Sequence, residues 1–491
     1  MSDGYRAGPS TAATGVAPPA RGVTGLALAA ALGGLLFGFD SSVINGTTTA
    51  IREQFDPGSF LLGTAVASAL LGSAVGAWFA GRVADRLGRP PTMGITALLF
   101  AASAVGSGLA FGIWDLIFWR VLGGIAIGSA SVIAPAYIGE ISPARLRGRL
   151  GSLQQLAITL GIFAALISDY ALAQAAGGAG KELLLGLDAW RWMFIVGVVP
   201  AAVYGILAMR LPESPRHLVA AGRDDDAAVQ LRRYVGGDVD HRIAEIKRTI
   251  GFERRTALRD LLGGRFGLLP IVWAGIALSM FQQLVGINVI FYYSTQLWSS
   301  VGFSESDALL IGVITSVTNI VTTIVAIAVI DRIGRRRLLL IGSAGMTLAL
   351  STMAVMFAGA VVRGDSVALE GTRGTVALVA ANVFVFSFGA SWGPAVWVLL
   401  GEMFPNRIRT TALAVAAGAQ WLTNFAVSQT FPVLSDAGLQ FAYGLYALFA
   451  LASFVFVRAA LPETMGRELE DMTDDVSRTA DAGGRAPAQA T

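Results

Sequence analysis

The sequence predicts an all-α membrane protein: twelve transmembrane helices in two pseudosymmetric six-helix bundles, with a small cytoplasmic helical domain between them. Three observations carry this. First, 54% of the 491 residues are hydrophobic and 14% charged, whereas a soluble domain carries about 25% charged residues. Second, apolar stretches near the roughly 20 residues that cross the hydrocarbon recur along the whole chain. Third, three motif pairs repeat in the same order at a separation of about 250 residues. The 59 glycines fit lipid as solvent, because small residues let membrane helices approach closely where no hydrophobic force drives their pairing.

The predicted spans are 23–44, 60–80, 92–111, 114–138, 149–173, 191–211, 268–298, 306–330, 337–361, 375–400, 411–433 and 438–460. Their even number puts both termini on one side. The short loops on that side carry Arg82, Arg86, Arg89, Arg145, Arg147, Arg149, Arg332, Arg335, Arg336, Arg337, Arg407 and Arg409. The opposite loops and span edges carry only Arg52, Lys181, Arg191, Arg363 and Arg373. Positive charge stays inside, so both termini are expected in the cytoplasm of a multi-pass protein of the cell (inner) membrane. Residues 1–21 and 462–491 read as cytoplasmic tails, the first one disordered. The apolar run after residue 21 is too long for a signal-peptide core. Residues 22–211 form the N-terminal bundle and 267–461 the C-terminal bundle. Between them, 212–266 mixes both charge signs at helical spacing, and Asp224 can cap one of its helices.

The repeats are GRVADRLGRP (Gly81 to Pro90) with DRIGRRR (Asp331 to Arg337), GEISPARLRGR (Gly139 to Arg149) with GEMFPNRIRTT (Gly401 to Thr411), and PESPR (Pro212 to Arg216) with PETMGR (Pro462 to Arg467). They indicate two six-helix halves of like orientation, related by an axis along the membrane normal.

Composition also excludes function classes. There is no cysteine, hence no disulfide, thiolate catalysis or Cys-based zinc site. The two histidines, His217 and His241, fall in the charged linker, where a solvated role fits better than a metal site. No basic stripe suggests nucleic acid, and neither a nucleophile–base pair nor a cofactor loop suggests an enzyme.

Asp40, in GGLLFGFDSSVING, lies deep in the first span. A carboxylate there is costly and marks a functional site by default. Its expected partner is Arg120, at the start of the fourth span. Desolvation favours the protonated acid and a neighbouring cation the charged one, so movement of Arg120 offers a way to capture and release a proton. A static salt bridge is the alternative.

Uncharged polar residues recur at predicted mid-membrane positions. They are Gln155 (with Thr159 and Ile162 on its face), Gln282, Gln283, Asn288 and Tyr292, Asn319, Gly393 and Trp397, and Gln420 with Asn424. Amides donate and accept at once, which suits a neutral polyol. Individually each serves equally well as helix–helix glue. Gly286 weakens the seventh span where a gate can bend. In the loops, Asp85 with Arg89, Glu140 with Arg147, and Glu402 with Arg409 read as ion pairs. Together with Asp331 and Arg335 they form either a cytoplasmic latch between the halves or topology signals.

GRVADRLGR, RVLGGIAIG, PAYIGEISPARLRG, PESPRHL, QQLVGINVIFYYS, DRIGRRR, SWGPAVWVLLGEMFPNRIR and PETMGR together resemble the sugar porter family of the major facilitator superfamily, over residues 22–467. The pattern is closest to bacterial sugar–proton symporters, the xylose symporters among them. The resemblance implies alternating access, a monosaccharide and protons as partners, no cofactor beyond the coupling proton, and a functional monomer. It places Gln155, Gln282, Gln283, Asn288, Trp397 and Gln420 on the sugar. Phe37, Tyr292, Asn319, Gly393, Trp421 and Asn424 fall around it, and Asp40 with Arg120 at the coupling pair. The chain departs from the pattern at Pro90 and Met465, where basic residues are usual, and at Ile162 and Gly389, which bear on the choice of sugar.

Overall fold

The computed structural model describes residues 20–461 except 237, 254–257, 264–266, 364–365, 370 and 405–407. Eleven helical segments among the described residues are long and apolar enough to cross a membrane. A further helix, Arg409–Ala437, is 29 residues long, but Gln420, Thr423, Asn424, Ser428 and Gln429 dilute its apolar character. It takes the place of the eleventh predicted span, so all twelve predicted spans meet a helix. Large apolar side chains such as Leu98, Leu348 and Leu448 point outward and are exposed, as a lipid-facing surface requires.

Four spans differ from the uniform helices expected; the sixth runs as Ala189–Ile195 and Val198–Ala208. The first continues past a break at Val43 as Ile44–Phe55, well beyond the predicted end at 44. The seventh falls into Pro270–Leu284, Ile287–Tyr292 and Ser294–Ser299. Its break is set by Gly286, which has φ of 80° and whose added Cβ would stand 2.7 Å from the Tyr446 ring; a left-handed φ and a close ring both demand glycine. The tenth breaks at Ala390–Ser391, between Arg373–Gly389 and Trp392–Met403. Two short hairpins, Glu182–Leu184 with Leu187–Asp188 and Val361–Arg363 with Ser366–Ala368, lie on the face away from the chain ends, here the far face. On the terminal face, Pro215–Ala220, Asp224–Gln230 and Val239–Glu253 pack through Leu218, Val219 and Ala227 against Ile243, Ile246 and Ile250.

In the N-terminal half, glycines bring helix backbones into contact. Ser59–Leu87 and Ile113–Ile141 meet through Gly72 and Gly76 on one side and Gly124 and Gly128 on the other. A Cβ added at any of the four would stand 1.9–2.2 Å from a carbonyl oxygen of the facing helix. Gly38 and Gly161 join the first span to Ala144–Ala176 in the same way, at 2.0 and 2.1 Å from Ile158 and Leu35 oxygens.

The two halves meet across a seam on the far face. Gly63 abuts the Gln429 carbonyl, and Gln429 Nε2 donates to the Phe60 carbonyl at 2.8 Å and to Thr64 Oγ1 at 3.0 Å. The Thr295 N–H donates to Asn45 Oδ1 at 2.9 Å, and the Ala179 N–H to Glu305 Oε1 at 3.2 Å. Arg52 and Ser59 both engage Asp436 at the rim. Deeper in, Thr159 and Thr323 hydroxyls lie 3.3 Å apart, and the Phe37 and Trp421 rings 5.8 Å apart. The structure is therefore closed on the far face.

Backbone contact at the glycines makes a prediction. Gly128→Val forces the second and fourth spans apart, and overpacking of this kind costs about 1–3 kcal/mol or more. A thermal unfolding midpoint in detergent well below wild type is expected, whereas Gly139→Val, whose Cβ would meet nothing within 4 Å, leaves it unchanged.

Candidate functional site

Asp40 and Arg120 meet as the sequence predicts. The Arg120 Nη1 donates to Asp40 Oδ2 and to the Asp40 carbonyl, both at 3.0 Å. Arg120 is 1% exposed and Asp40 7%. The pairing is one-pronged: the buried Nε–H of Arg120 has no partner, and its guanidinium carbon sits 5.8 Å from the centre of the Phe194 ring. A fork-on-fork pair would lock both groups; this geometry leaves the arginine a donor to spare. A void of about 10 Å³ beside Asp40, lined by Leu36, Phe100, Phe194 and Gly197 among others, is near the lower limit for one water molecule.

The polar lining assembles largely from the broken helices. Because the seventh span unwinds at Gly286, Asn288 turns back on the preceding helix, and its Nδ2 donates to Gln283 Oε1 at 2.7 Å. Gln283 in turn donates to Gln282 Oε1 at 3.4 Å, and Gln282 Nε2 to the carbonyls of Trp392 and Gly393 at 3.0 and 3.3 Å. These carbonyls belong to the break in the tenth span. One turn past Asn288, Tyr292 faces Asn424, and Ser428 donates to Asn424 Oδ1. Gln420, one turn from Asn424, has an Oε1 that is buried and unpartnered. Phe37 stacks on the adjacent Trp421. Gln155 and Asn319 reach the seam indirectly: their carbonyls accept from Thr159 and Thr323, which meet each other. Trp397 sits a turn beyond Gly393, 43% exposed, and joins none of these bonds.

The charged loops form the expected Asp85–Arg89 pair and, beside it, pairs that were not expected. Glu140 takes a bidentate bond from Arg89, at 3.0 and 3.1 Å, and approaches Arg216 at 3.9 Å. Arg89 also bonds Asp85 at 3.2 Å, and its backbone N–H bonds Glu213 at 3.0 Å. Glu402 pairs with Arg335 at 3.0 Å. These pairs brace each half internally and do not join the two. The side chains of Arg147, Asp331 and Arg409, on which the Glu140–Arg147 and Glu402–Arg409 pairs depend, lie outside the described residues. His217 is half-buried, with Nδ1 3.3 Å from Arg89, and is not the solvated histidine expected.

Sequence reasoning missed Asp169. It is a second fully buried carboxylate, in the fifth span. Its signal was present: an acid within the apolar run LGIFAALISDYALA. Trp392 was missed as well. It is fully buried and anchors the tenth-span break by donating to the Leu339 carbonyl and Ser343 Oγ at 3.1 and 2.9 Å.

The lining can be tested directly. Asn288→Ala removes one donor and leaves Gln283 Oε1 without its partner, a loss of about 1–3 kcal/mol for a desolvated ligand. If the expected sugar sits here, its affinity by calorimetry in detergent falls roughly 5- to 150-fold while the variant stays folded.

The chain matches the family model for sugar (and other) transporters over residues 26–475. It is 57% identical over 445 residues to a glucose transport protein of Synechocystis, covering 90% of this chain and 95% of that one. It is 35% identical over 481 residues to the D-xylose-proton symporter of Escherichia coli K12, covering 91% and 94%. The inward-open structure of the E. coli xylose transporter XylE superposes with a TM-score of 0.77 at 34% identity, over 92% of this chain and 99% of that chain. Twelve membrane helices in two bundles, two broken spans at the centre and these matches lead to one conclusion: the chain belongs to the sugar porter family of the major facilitator superfamily.

Proposed function

We propose that the protein carries a monosaccharide, a hexose such as glucose or a pentose such as xylose, into the cell together with a proton by alternating access. The single observation that carries the coupling is the buried, one-pronged Asp40–Arg120 contact. A carboxylate that can exchange its arginine for a proton links protonation to the rearrangement of the bundle around it. The orientation follows from the arginine count: the terminal face is cytoplasmic, so the closed far face is the outer one and the structure faces inward. The glucose and xylose–proton names of the relatives support both the substrate class and the coupling.

In this scheme sugar enters among Gln282, Gln283, Asn288 and Gln420, with Gln155, Asn319, Trp397 and Trp421 completing the lining. Asn288 and Tyr292, which ride on the short piece Ile287–Tyr292, tie sugar contact to the outer seam. The latch between the halves remains part of the proposal through Arg147, Asp331 and Arg409, with Glu140 and Glu402 as acceptors once the cytoplasmic face closes. Each proton moving inward gains about 2.3 kcal/mol per 100 mV. That supports roughly 50-fold sugar accumulation at one proton per sugar.

Counterflow in proteoliposomes with a panel of hexoses and pentoses identifies the sugar. For coupling, Asp40→Asn keeps the size of the side chain but takes up no proton near neutral pH. It is expected to abolish gradient-driven accumulation while sugar binding and sugar exchange persist. The checks are uptake with and without an imposed proton gradient, and exchange at equal sugar on both sides. A wild type that ignores the gradient makes the protein a uniporter. A variant that does not fold makes the pair a static salt bridge, whose broken form costs about 3–5 kcal/mol.

A further inference from the structure

Asp169 is 0% exposed, and neither carboxyl oxygen completes a hydrogen bond. It packs straight onto the backbone of Gly46, whose added Cβ would lie 2.7 Å from both Asp169 Cβ and Oδ2. The Gly46 N–H is the backbone donor that approaches it. The next residue, Asn45, belongs to the outer seam through its bond from Thr295. One turn along the Asp169 helix, Leu166 reaches Gly312 of the other half, as do Asn45 Nδ2 and Ser294 Oγ. The Asn45 Nδ2, Ser294 Oγ and Thr295 Oγ1 atoms are likewise buried and unpartnered. The Asp169 carboxyl group is thus buried against the helix that carries Asn45 of the seam.

No described cation compensates that carboxyl, and no charged side chain acts on it electrostatically. On Ile44–Phe55, Arg52 is committed to Ser59 and Asp436, and Glu53 is exposed at the rim. On Glu305–Ile333, Glu305 accepts from Ala179 and Asp307 from Ser304, both at the outer end. On Ala189–Ile195, Arg191 donates to the carbonyls of Gly108 and Ala110. Lys181 and Glu182 of the adjoining hairpin are exposed, and Tyr170 is the next residue on its own helix. A lone ionised carboxylate in such a site is strongly unfavourable; the neutral acid is not.

We propose that Asp169 is a second proton-binding site, one that keeps its proton while the outer seam is closed and yields it to the outer solution when the seam opens. The proton passes from the carboxyl group to water on opening and returns from the same solution on closing. It is not carried across and adds nothing to the transport stoichiometry. The sign follows: the open seam binds one proton fewer, so rising external pH favours opening, by up to about tenfold in the open-to-closed ratio per pH unit. This rests on the outward assignment of the far face, not on coupling through Asp40.

The test uses the full chain in lipid nanodiscs. The sequence lacks cysteine, so spin labels on Glu53→Cys and Ser306→Cys read the seam distance alone. From about pH 5 to about pH 8 the open population is expected to rise in wild type and in Asp40→Asn, and to stay low and flat in Asp169→Asn. An Asp169→Asn response equal to wild type, or a flat wild type, overturns the proposal. Gradient-independent sugar uptake with the Asp169-dependent slope intact would sink the symport reading alone. Should Asp169→Asn not fold, infrared difference spectra of Asp40→Asn decide. A protonated-carboxyl band that vanishes as the seam opens supports the proposal, and a spectrum without one refutes it.

Discussion

Backbone-to-backbone contact at glycine is the constraint on which this protein depends. In lipid, helices gain nothing from hiding apolar side chains from one another, so association rests on close packing. Gly72, Gly76, Gly124 and Gly128 bring the second and fourth spans together, and Gly38 and Gly161 the first and fifth. Asp40 lies two residues beyond Gly38, and Arg120 one turn before Gly124. Between the first and fourth spans, which carry the ion pair, a Cβ added at Gly33 would stand 3.4 Å from Ala130 Cβ and one at Gly123 3.4 Å from Asp40 Oδ1, so glycine also sets the separation of the pair. A looser scaffold would leave an arginine stranded in a low-dielectric interior, at a cost that few folds sustain.

The C-terminal half is built on the opposite plan. Its seventh and tenth spans are broken, and Gln282 ties the two together by donating to the Trp392 and Gly393 carbonyls. Irregular backbone at membrane depth is tolerated only where protein or a cavity takes up its hydrogen bonds. The N-terminal half thus carries the buried Asp40–Arg120 pair on glycine-packed helices, and the C-terminal half carries most of the amides on and beside broken ones. The seam joins the two halves through Thr295 on Asn45 and Gln429 on Phe60.

Most of this architecture was legible in the sequence, because hydrocarbon imposes a length and a polarity on each span. The internal repeat disclosed the two halves, and the cost of a charge in lipid singled out Asp40 and its arginine. What escaped was decided by tertiary contact. Nothing local ties Glu140 to Arg89, which stands 51 residues away in another loop. The helix break at Ala390–Ser391 is held by Trp392 reaching Leu339 and Ser343, residues remote in sequence. Asp169 is the instructive omission. The rule that marked Asp40 applied equally to it, but with no arginine to pair it with, the acid drew no attention.

The three-piece seventh span has a consequence for pharmacology. Gln282 and Gln283 end a 15-residue helix anchored in the bundle, whereas Asn288 and Tyr292 sit on a six-residue piece bounded by Gly286 and Tyr293. If Gln282, Gln283 and Asn288 hold the sugar as proposed, a compound that grips only the first two fills the site without pulling on the short piece, and so blocks transport without being carried. One that also draws in Asn288 is treated as cargo. The difference between an inhibitor and a substrate is then a matter of which side of a single glycine the ligand touches.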